Sequence, residues 1–148
     1  MSDRRDIRRL AMQILYQIDL RGEDDIPEII AAQDDVGFDR VPVRREAARL
    51  AEAAWAGRAE ADGIVAALAP DWPTHRQPPL DRAILRIAHH EMVSGHAPVK
   101  VAINEAVELA KQYGSEHSPS FINGVLDKMA RRLAASAKER EPKDPVAP

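Results

Sequence analysis

The chain has 148 residues, a net charge of −3 and no cysteine. This length fits one domain that buries about two thirds of the surface its unfolded chain would expose. The absence of cysteine excludes disulfides, thiolate metal sites and a cysteine nucleophile. No apolar run approaches the ~20 residues of a membrane span, and the charged N-terminus does not resemble a secretory signal, so we expect a cytoplasmic protein.

Apolar residues recur every three to four positions along most of the chain, as in amphipathic helices, and no strand pattern appears. In chain order, this spacing predicts helices over residues 3–20, 26–32, 43–56, 59–69, 80–94, 99–113 and from about 118 onward. Residues 70–79 contain four prolines, which a helix interior does not accommodate. The predicted fold class is all-α, a compact bundle of six to seven helices in residues 1–134 with a flexible polar tail over residues 135–148.

A hinge separates the last two predicted helices. Gly114 is expected to end the first of them in the left-handed conformation that glycine adopts freely. Ser118 is expected to cap the next helix, with Pro119 at its first position.

Charge is distributed unevenly along the chain. Residues 23–39 carry seven carboxylates and no lysine or arginine. The first helix and the C-terminal part are instead rich in cations: Arg4, Arg5, Arg8, Arg9, Lys128, Arg131, Arg132, Lys138, Arg140 and Lys143. Such asymmetry can produce a basic patch on an acidic protein.

The first helix carries a stripe suited to RNA. At about 100° per residue, the side of the helix opposite its apolar face carries Arg5, Arg9, Met12 and Tyr16. Arginine binds phosphates through two hydrogen bonds, and tyrosine offers a plane for an unstacked base. The alternative is a solvated face on which Tyr16 is half-buried under a neighbouring helix.

The last helix carries a similar strip beside its apolar stripe of Ile122, Leu126, Met129 and Leu133. Phe121, Lys128 and Arg132 lie close together on that flank, and an aromatic ring between cations suits single-stranded nucleic acid. The alternative is that Phe121 attaches the start of the helix to the bundle.

The helix over residues 80–94 is a candidate partner surface. Leu85 and Met92 project off its main apolar face near Asp81 and His89, and apolar residues rimmed by charge can mark a protein contact. The alternative is a wide core face on a central helix of the bundle.

Patterns that carry catalysis are missing from the sequence. Residues 89–91 read His-His-Glu, but adjacent helical positions diverge by about 100°, and no H-E-x-x-H pattern exists. No nucleophile elbow, phosphate-binding loop or dinucleotide motif occurs. We therefore predict a protein that is not an enzyme, with no catalytic residues, metal or cofactor.

Three segments resemble a known family: RRLAMQILYQIDL (8–20), LDRAILRIAHHEM (80–92), and KVAINEAVELAKQYG (100–114) with FINGVLDKMA (121–130). Through them the chain resembles the NusB transcription antitermination family over about residues 4–132. The resemblance implies an all-helical, non-enzymatic factor that binds boxA RNA of rRNA leader transcripts together with the ribosomal protein NusE. It also implies action on RNA polymerase elongation and rRNA synthesis.

The resemblance assigns roles to individual residues. It implies RNA contacts by Arg4, Arg5, Arg8, Arg9, Tyr16 and Phe121, to which the strip on the last helix adds Lys128 and Arg132. It implies NusE contacts by Asp81, Leu85 and His89. His117 stands in the hinge where family members often have an acidic residue.

Other interpretations stay open. A helical protein-interaction adaptor, whose arginine stripe contacts an acidic protein surface without specific RNA binding, is the main alternative. The oligomeric state, a homodimer included, is undecided by the sequence. NusB-like domains also occur fused to an rRNA cytosine methyltransferase, but too few residues follow Arg131 for such a domain, so we expect a free-standing factor.

Overall fold

The computed structural model describes residues 3–33 and 40–140. These residues form seven α-helices and no strand: α1 (Asp3–Arg21), α2 (Ile26–Ala32), α3 (Val41–Ala56), α4 (Arg58–Leu68), α5 (Pro79–Ser94), α6 (Val99–Tyr113) and α7 (Ser118–Arg140). Short 3₁₀ turns precede α2 (Glu23–Asp25) and lie in the proline-rich linker before α5 (Thr74–Arg76). No helix of this described part is both long and apolar enough to cross a bilayer.

The all-α prediction is confirmed, and the helix bounds agree with the sequence prediction to within two residues for α1 to α6. The C-terminal end differs, because α7 continues through residues 135–140, part of the segment predicted to be a flexible tail. Alanine, which has the highest helix propensity, occupies three of positions 134–137 and favours this extension. Residues 141–148, and residues 34–39 of the acidic segment, lie outside the described residues.

Helix α5 lies at the centre of the bundle and contacts α1, α3, α4, α6 and α7. Nine of its sixteen residues are buried, including charged ones. A buried polar group is costly unless it is hydrogen-bonded. The charged side chains of α5 therefore need partners on the surrounding helices.

Helix α1 packs against α3 and α5 and consequently has a wide buried face. Leu10, Ile14 and Ile18 are fully buried, as the periodicity predicts. Met12 was predicted on the exposed stripe, but it is 1% exposed. That prediction is wrong because two neighbouring helices cover more of α1 than one apolar stripe.

The hinge between α6 and α7 depends on a close approach. Gly114 has φ −88° and ψ −174°, so the predicted left-handed cap is wrong. A Cβ atom at Gly114 would lie 2.6 Å from Cβ of Ser118, which explains why glycine is needed there. Ser118 is the first residue of α7, and its hydroxyl accepts a hydrogen bond from the Ser115 N–H (2.9 Å) and donates one to Oδ1 of Asp81 (2.8 Å).

Candidate nucleic-acid interface

The N-terminal half of α1 presents cations on the surface. Arg4 and Arg5 are exposed, and the side chain of Arg9 is one-third exposed. Arg5 pairs with Glu105 of α6 at 3.2 Å, and Arg9 lies 3.4 Å from Asp6. The predicted cationic surface is therefore present for these three arginines, with carboxylates interspersed among them.

Arg8 does not belong to that surface. Its guanidinium lies in the interior and pairs with Glu91 of α5, with Nε 2.9 Å from Oε1 and Nη2 2.8 Å from Oε2. Burial by itself would lower the pKa of Arg8, but the hydrogen bonds and the attraction of Glu91 raise it overall. The predicted RNA contact by Arg8 is corrected here, because a side chain that is 6% exposed joins α1 to α5.

A groove of about 240 Å³ runs between α1 and α6, beside the exposed arginines. Its walls are formed by charged residues and by the C-terminal turn of α6: Arg5, Asp6, Arg8, Arg9, Glu105, Glu108, Leu109, Gln112 and Tyr113. Tyr113, at the end of α6, is 37% exposed. The groove offers an aromatic ring and guanidinium groups to a ligand, together with competing carboxylates.

The two aromatic residues predicted to contact RNA are both half-buried. Tyr16 lies on α1, two turns beyond Arg9. Phe121 packs against the core, and its ring centroid lies 5.4 Å from that of Trp72 at an interplanar angle of 34°. Trp72 is 44% exposed and was missed in the sequence, although an indole between Pro70 and Pro73 in a linker was a detectable signal.

The two cations predicted on α7 are exposed, and one of them lines a different groove. Lys128 and Arg132 are both exposed, and Arg132 lines a groove with Glu60 and Ile64 of α4. The arginines of α1 line the groove against α6. The structure therefore places Arg132 on a different groove from Arg5 and Arg9.

The predicted partner surface on α5 is buried. Asp81, Leu85 and His89 are 3%, 2% and 2% exposed, respectively. The expectation of an exposed contact face is corrected, because five helices surround α5, as in the alternative interpretation of a wide core face. These three residues instead join α5 to its neighbours.

The interior positions of Asp81 and His89 affect their ionisation. Burial raises the pKa of Asp81, and the hydrogen bond from Ser118 partly offsets this effect. Burial lowers the pKa of His89, against the opposing attraction of Glu60, whose carboxylate lies 3.9 Å from Nε2. Both groups are consequently shifted towards their neutral forms.

Two arginines of α5 also form largely buried ion pairs, which the sequence analysis did not predict. Arg82 donates to Asp19 of α1 at 2.7 Å, and Arg86 donates to both carboxylate oxygens of Asp62 in α4 at 3.0 and 2.7 Å. Their signal was the i, i+4 spacing on a helix otherwise rich in apolar residues. These pairs set the positions of α1 and α4 relative to α5.

The seven-helix fold, with exposed arginines on its first helix, is typical of an all-helical RNA-binding factor. The NusB family model matches residues 5–131, and the chain belongs to that family. It is 39% identical to a transcription antitermination protein NusB of Herpetosiphon aurantiacus over 88% of this chain and 92% of the relative. The family is one of non-enzymatic transcription antitermination factors, in agreement with the predicted absence of catalysis.

Solved structures show the same fold. NusB of T. maritima is 27% identical and superposes with a TM-score of 0.78, covering 94% of this chain and 97% of that one. A crystal structure of the antitermination factors NusB and NusE in complex with dsRNA contains a chain 24% identical to this one. That chain superposes with a TM-score of 0.73, covering 89% of this chain and 98% of its own length.

Proposed function

We propose that this chain is a cytoplasmic antitermination factor that binds the boxA RNA of rRNA leader transcripts together with NusE. In this proposal the complex acts on RNA polymerase elongation and so supports rRNA synthesis. The observation that carries the proposal is the surface of Arg4, Arg5 and Arg9 on α1, of which Arg5 and Arg9 line the α1–α6 groove, in a chain that belongs to the NusB family.

The chemistry of this surface suits a flexible, single-stranded RNA. Guanidinium groups bind phosphate oxygens in a fixed two-donor geometry, and partly exposed aromatic rings stack on unpaired bases. Tyr16 and Tyr113 supply such rings near the arginines, and Phe121 with Lys128 and Arg132 forms a second strip on α7. A bound strand would have to pass the hinge between α6 and α7 to use both.

NusE is the proposed protein partner because a structurally similar NusB chain occurs in a complex with NusE and dsRNA. The burial of Asp81, Leu85 and His89 argues against their forming the contact in the folded chain. The outer surface of the bundle, rather than α5, is the place to search for the NusE contact.

The test is an RNA shift assay with boxA RNA and a scrambled RNA, with and without NusE, across a range of salt concentrations. For a single strand, the logarithm of the binding constant falls by about 0.7 per phosphate contact for each tenfold rise in salt. We expect the double variant Arg5→Gln/Arg9→Gln to reduce that slope by about 1.4. Arg21→Gln, which removes the same type of charge from the other end of α1, is the matched control.

Equal binding of boxA and scrambled RNA, in the presence and absence of NusE, would contradict the proposal. The adaptor hypothesis has support from the carboxylates between the arginines, which weaken attraction for RNA and suit a mixed-charge protein surface. Recovery of protein partners after nuclease treatment, with no RNA shift at any salt concentration, would favour the adaptor.

A further inference from the structure

The linker between α4 and α5 holds an exposed indole in a defined position. The side-chain amide of Gln77, itself buried, donates to the carbonyl oxygen of Trp72 at 3.1 Å. The guanidinium of Arg82 donates to the carbonyl oxygens of Thr74 (2.9 Å) and Gln77 (2.7 Å), and it also pairs with Asp19 of α1. The linker is therefore attached to both α5 and α1, and the indole is held in place before any ligand arrives.

The indole of Trp72 is only partly used by the fold. It tilts against Phe121 at 34° and remains 44% exposed. Within residues 3–33 and 40–140, its N–H has no hydrogen-bond partner. Trp55 provides the contrast, because its indole N–H donates to Glu23 at 2.9 Å and the guanidinium of Arg58 covers its ring at 4.0 Å.

Exposed cations follow each member of this aromatic pair along the chain. Lys128 and Arg132 follow Phe121 on α7 at i+7 and i+11, about two and three turns later and on the same side of the helix. Arg76, also exposed, follows Trp72 within the linker. A flat aromatic surface with cations nearby combines the two features by which proteins bind single strands, namely base stacking and attraction of the phosphate backbone.

We propose that Trp72 and Phe121 together form a stacking platform for one unstacked base of single-stranded RNA, which makes Trp72 an RNA-contacting residue. This inference rests on the proposed function and adds to it a residue and a segment, the α4–α5 linker. Because the hydrogen bonds of Gln77 and Arg82 already hold the α4–α5 linker, the indole of Trp72 need not be ordered when the base binds, and the entropic cost of binding is lower. A base would cover the exposed part of the indole and extend the tilted aromatic pair.

The experiment uses the two tryptophans of the chain. In the variant Trp55→Phe, Trp72 is the single tryptophan, and its fluorescence reports directly on the platform. We expect saturating boxA RNA to quench this fluorescence. Labelled RNA, followed by anisotropy, gives the affinity of the same protein independently.

The second arm replaces Trp72 itself. Trp72→Leu keeps an apolar cover over Phe121 but removes the indole face, and we expect it to weaken RNA binding by about 5- to 160-fold, the range of one lost base stack. The salt dependence should not change, because no phosphate contact is removed. Trp72→Phe, which retains a ring, is the matched control and should keep most of the affinity, and thermal unfolding of each variant shows whether it is folded.

The outcomes separate this inference from the proposed function. The platform is overturned if folded Trp72→Leu binds boxA RNA as tightly as Trp55→Phe does. It is also overturned if saturating RNA leaves the fluorescence of Trp72 unchanged. Unchanged RNA affinity with weaker NusE binding would place a protein on the platform and also overturn it. Equal quenching by boxA and scrambled RNA supports the platform and contradicts the proposed function, and failure to bind either RNA contradicts both.

Discussion

Replacing Glu91 with glutamine removes the charge that neutralises Arg8 in the interior, with almost no change in volume. The two side chains are 6% and 3% exposed, and the guanidinium and carboxylate meet through contacts of 2.8 to 3.1 Å. In Glu91→Gln the guanidinium stays buried without a counter-charge. Only one of the two hydrogen-bond acceptors that it uses remains.

The expected cost is large. Removing one partner of a buried ion pair destabilises a protein by about 3–5 kcal/mol, because the other charge is left uncompensated. At this chain length, 1 kcal/mol shifts the unfolding midpoint by about 2–4 °C, so the midpoint should fall by roughly 6–20 °C. That loss is a substantial fraction of the ~5–15 kcal/mol by which domains are stable.

Thermal and urea unfolding, followed by far-UV circular dichroism, would measure this loss. Glu105→Gln is the matched control, because it removes the carboxylate that pairs with another arginine of α1, Arg5, in an ion pair between α1 and α6 where the Arg5 side chain is 65% exposed. We expect that control to cost less than about 1 kcal/mol. The double variant Arg8→Met/Glu91→Leu, with apolar groups of similar size, should be neutral or more stable by about 1–4 kcal/mol.

Two results would refute this reasoning. A loss below about 1 kcal/mol in Glu91→Gln would show that the pair is not the buried, mutually dependent contact that we describe. RNA binding by the folded double variant tests the position of Arg8, and we expect it to match the wild type. If the double variant folds but loses as much affinity as Arg5→Gln/Arg9→Gln, Arg8 contacts RNA after all.

Three further predictions concern charge, backbone and pH. Glu105→Gln should raise RNA affinity by about 1.4- to 5-fold in the shift assay, because it frees Arg5 from a partly exposed ion pair. Glu108→Gln removes the same charge and controls for net charge. An equal gain in both variants would contradict this reason. Gly114→Ala should lower the free energy of unfolding by about 1–3 kcal/mol, because its Cβ would lie 2.6 Å from the Cβ of Ser118. Gly124→Ala, on an open helix surface, should instead raise it by about 0.5–1 kcal/mol. Urea unfolding measures both changes, and a destabilisation or a stabilisation by both variants would contradict the reasoning. Burial lowers the pKa of His89, so below pH 6.5 the unfolded state binds more protons than the folded state, and the free energy of unfolding should fall with falling pH until the folded pKa is passed. His89→Gln should flatten this part of the stability–pH curve. An unchanged curve would contradict the assignment to His89.

The helices and most of the core could be predicted from the sequence. Helix bounds depend on local chemistry, such as the apolar period of α1, the prolines of residues 70–79 and Gly95 with φ +69° at the end of α5. Ile122, Leu126 and Met129 are fully buried, as their spacing predicts. These features depend on neighbours within a few residues along the chain, so the one-dimensional pattern is sufficient for them.

The candidate site could be predicted only in part. Arg4, Arg5, Lys128 and Arg132 are exposed, since a charged side chain on the polar side of a helix remains in water. Whether an arginine near the edge of the apolar face is exposed depends on its surroundings. Arg8 is buried because Glu91, 83 residues away, lies opposite it, and no local pattern contains that information.

The sequence alone therefore determined the all-helical architecture, the family and the position of the basic segments, because periodicity, glycine and proline act locally and the motifs are contiguous. The tertiary structure decided which polar residues of α1 and α5 are available to a ligand. Periodicity gives the direction of a side chain from its own helix axis, but not how many other helices lie in that direction. With five helices around α5, Asp81, Leu85 and His89 are interior residues, and only the folded linker brings Trp72 onto Phe121.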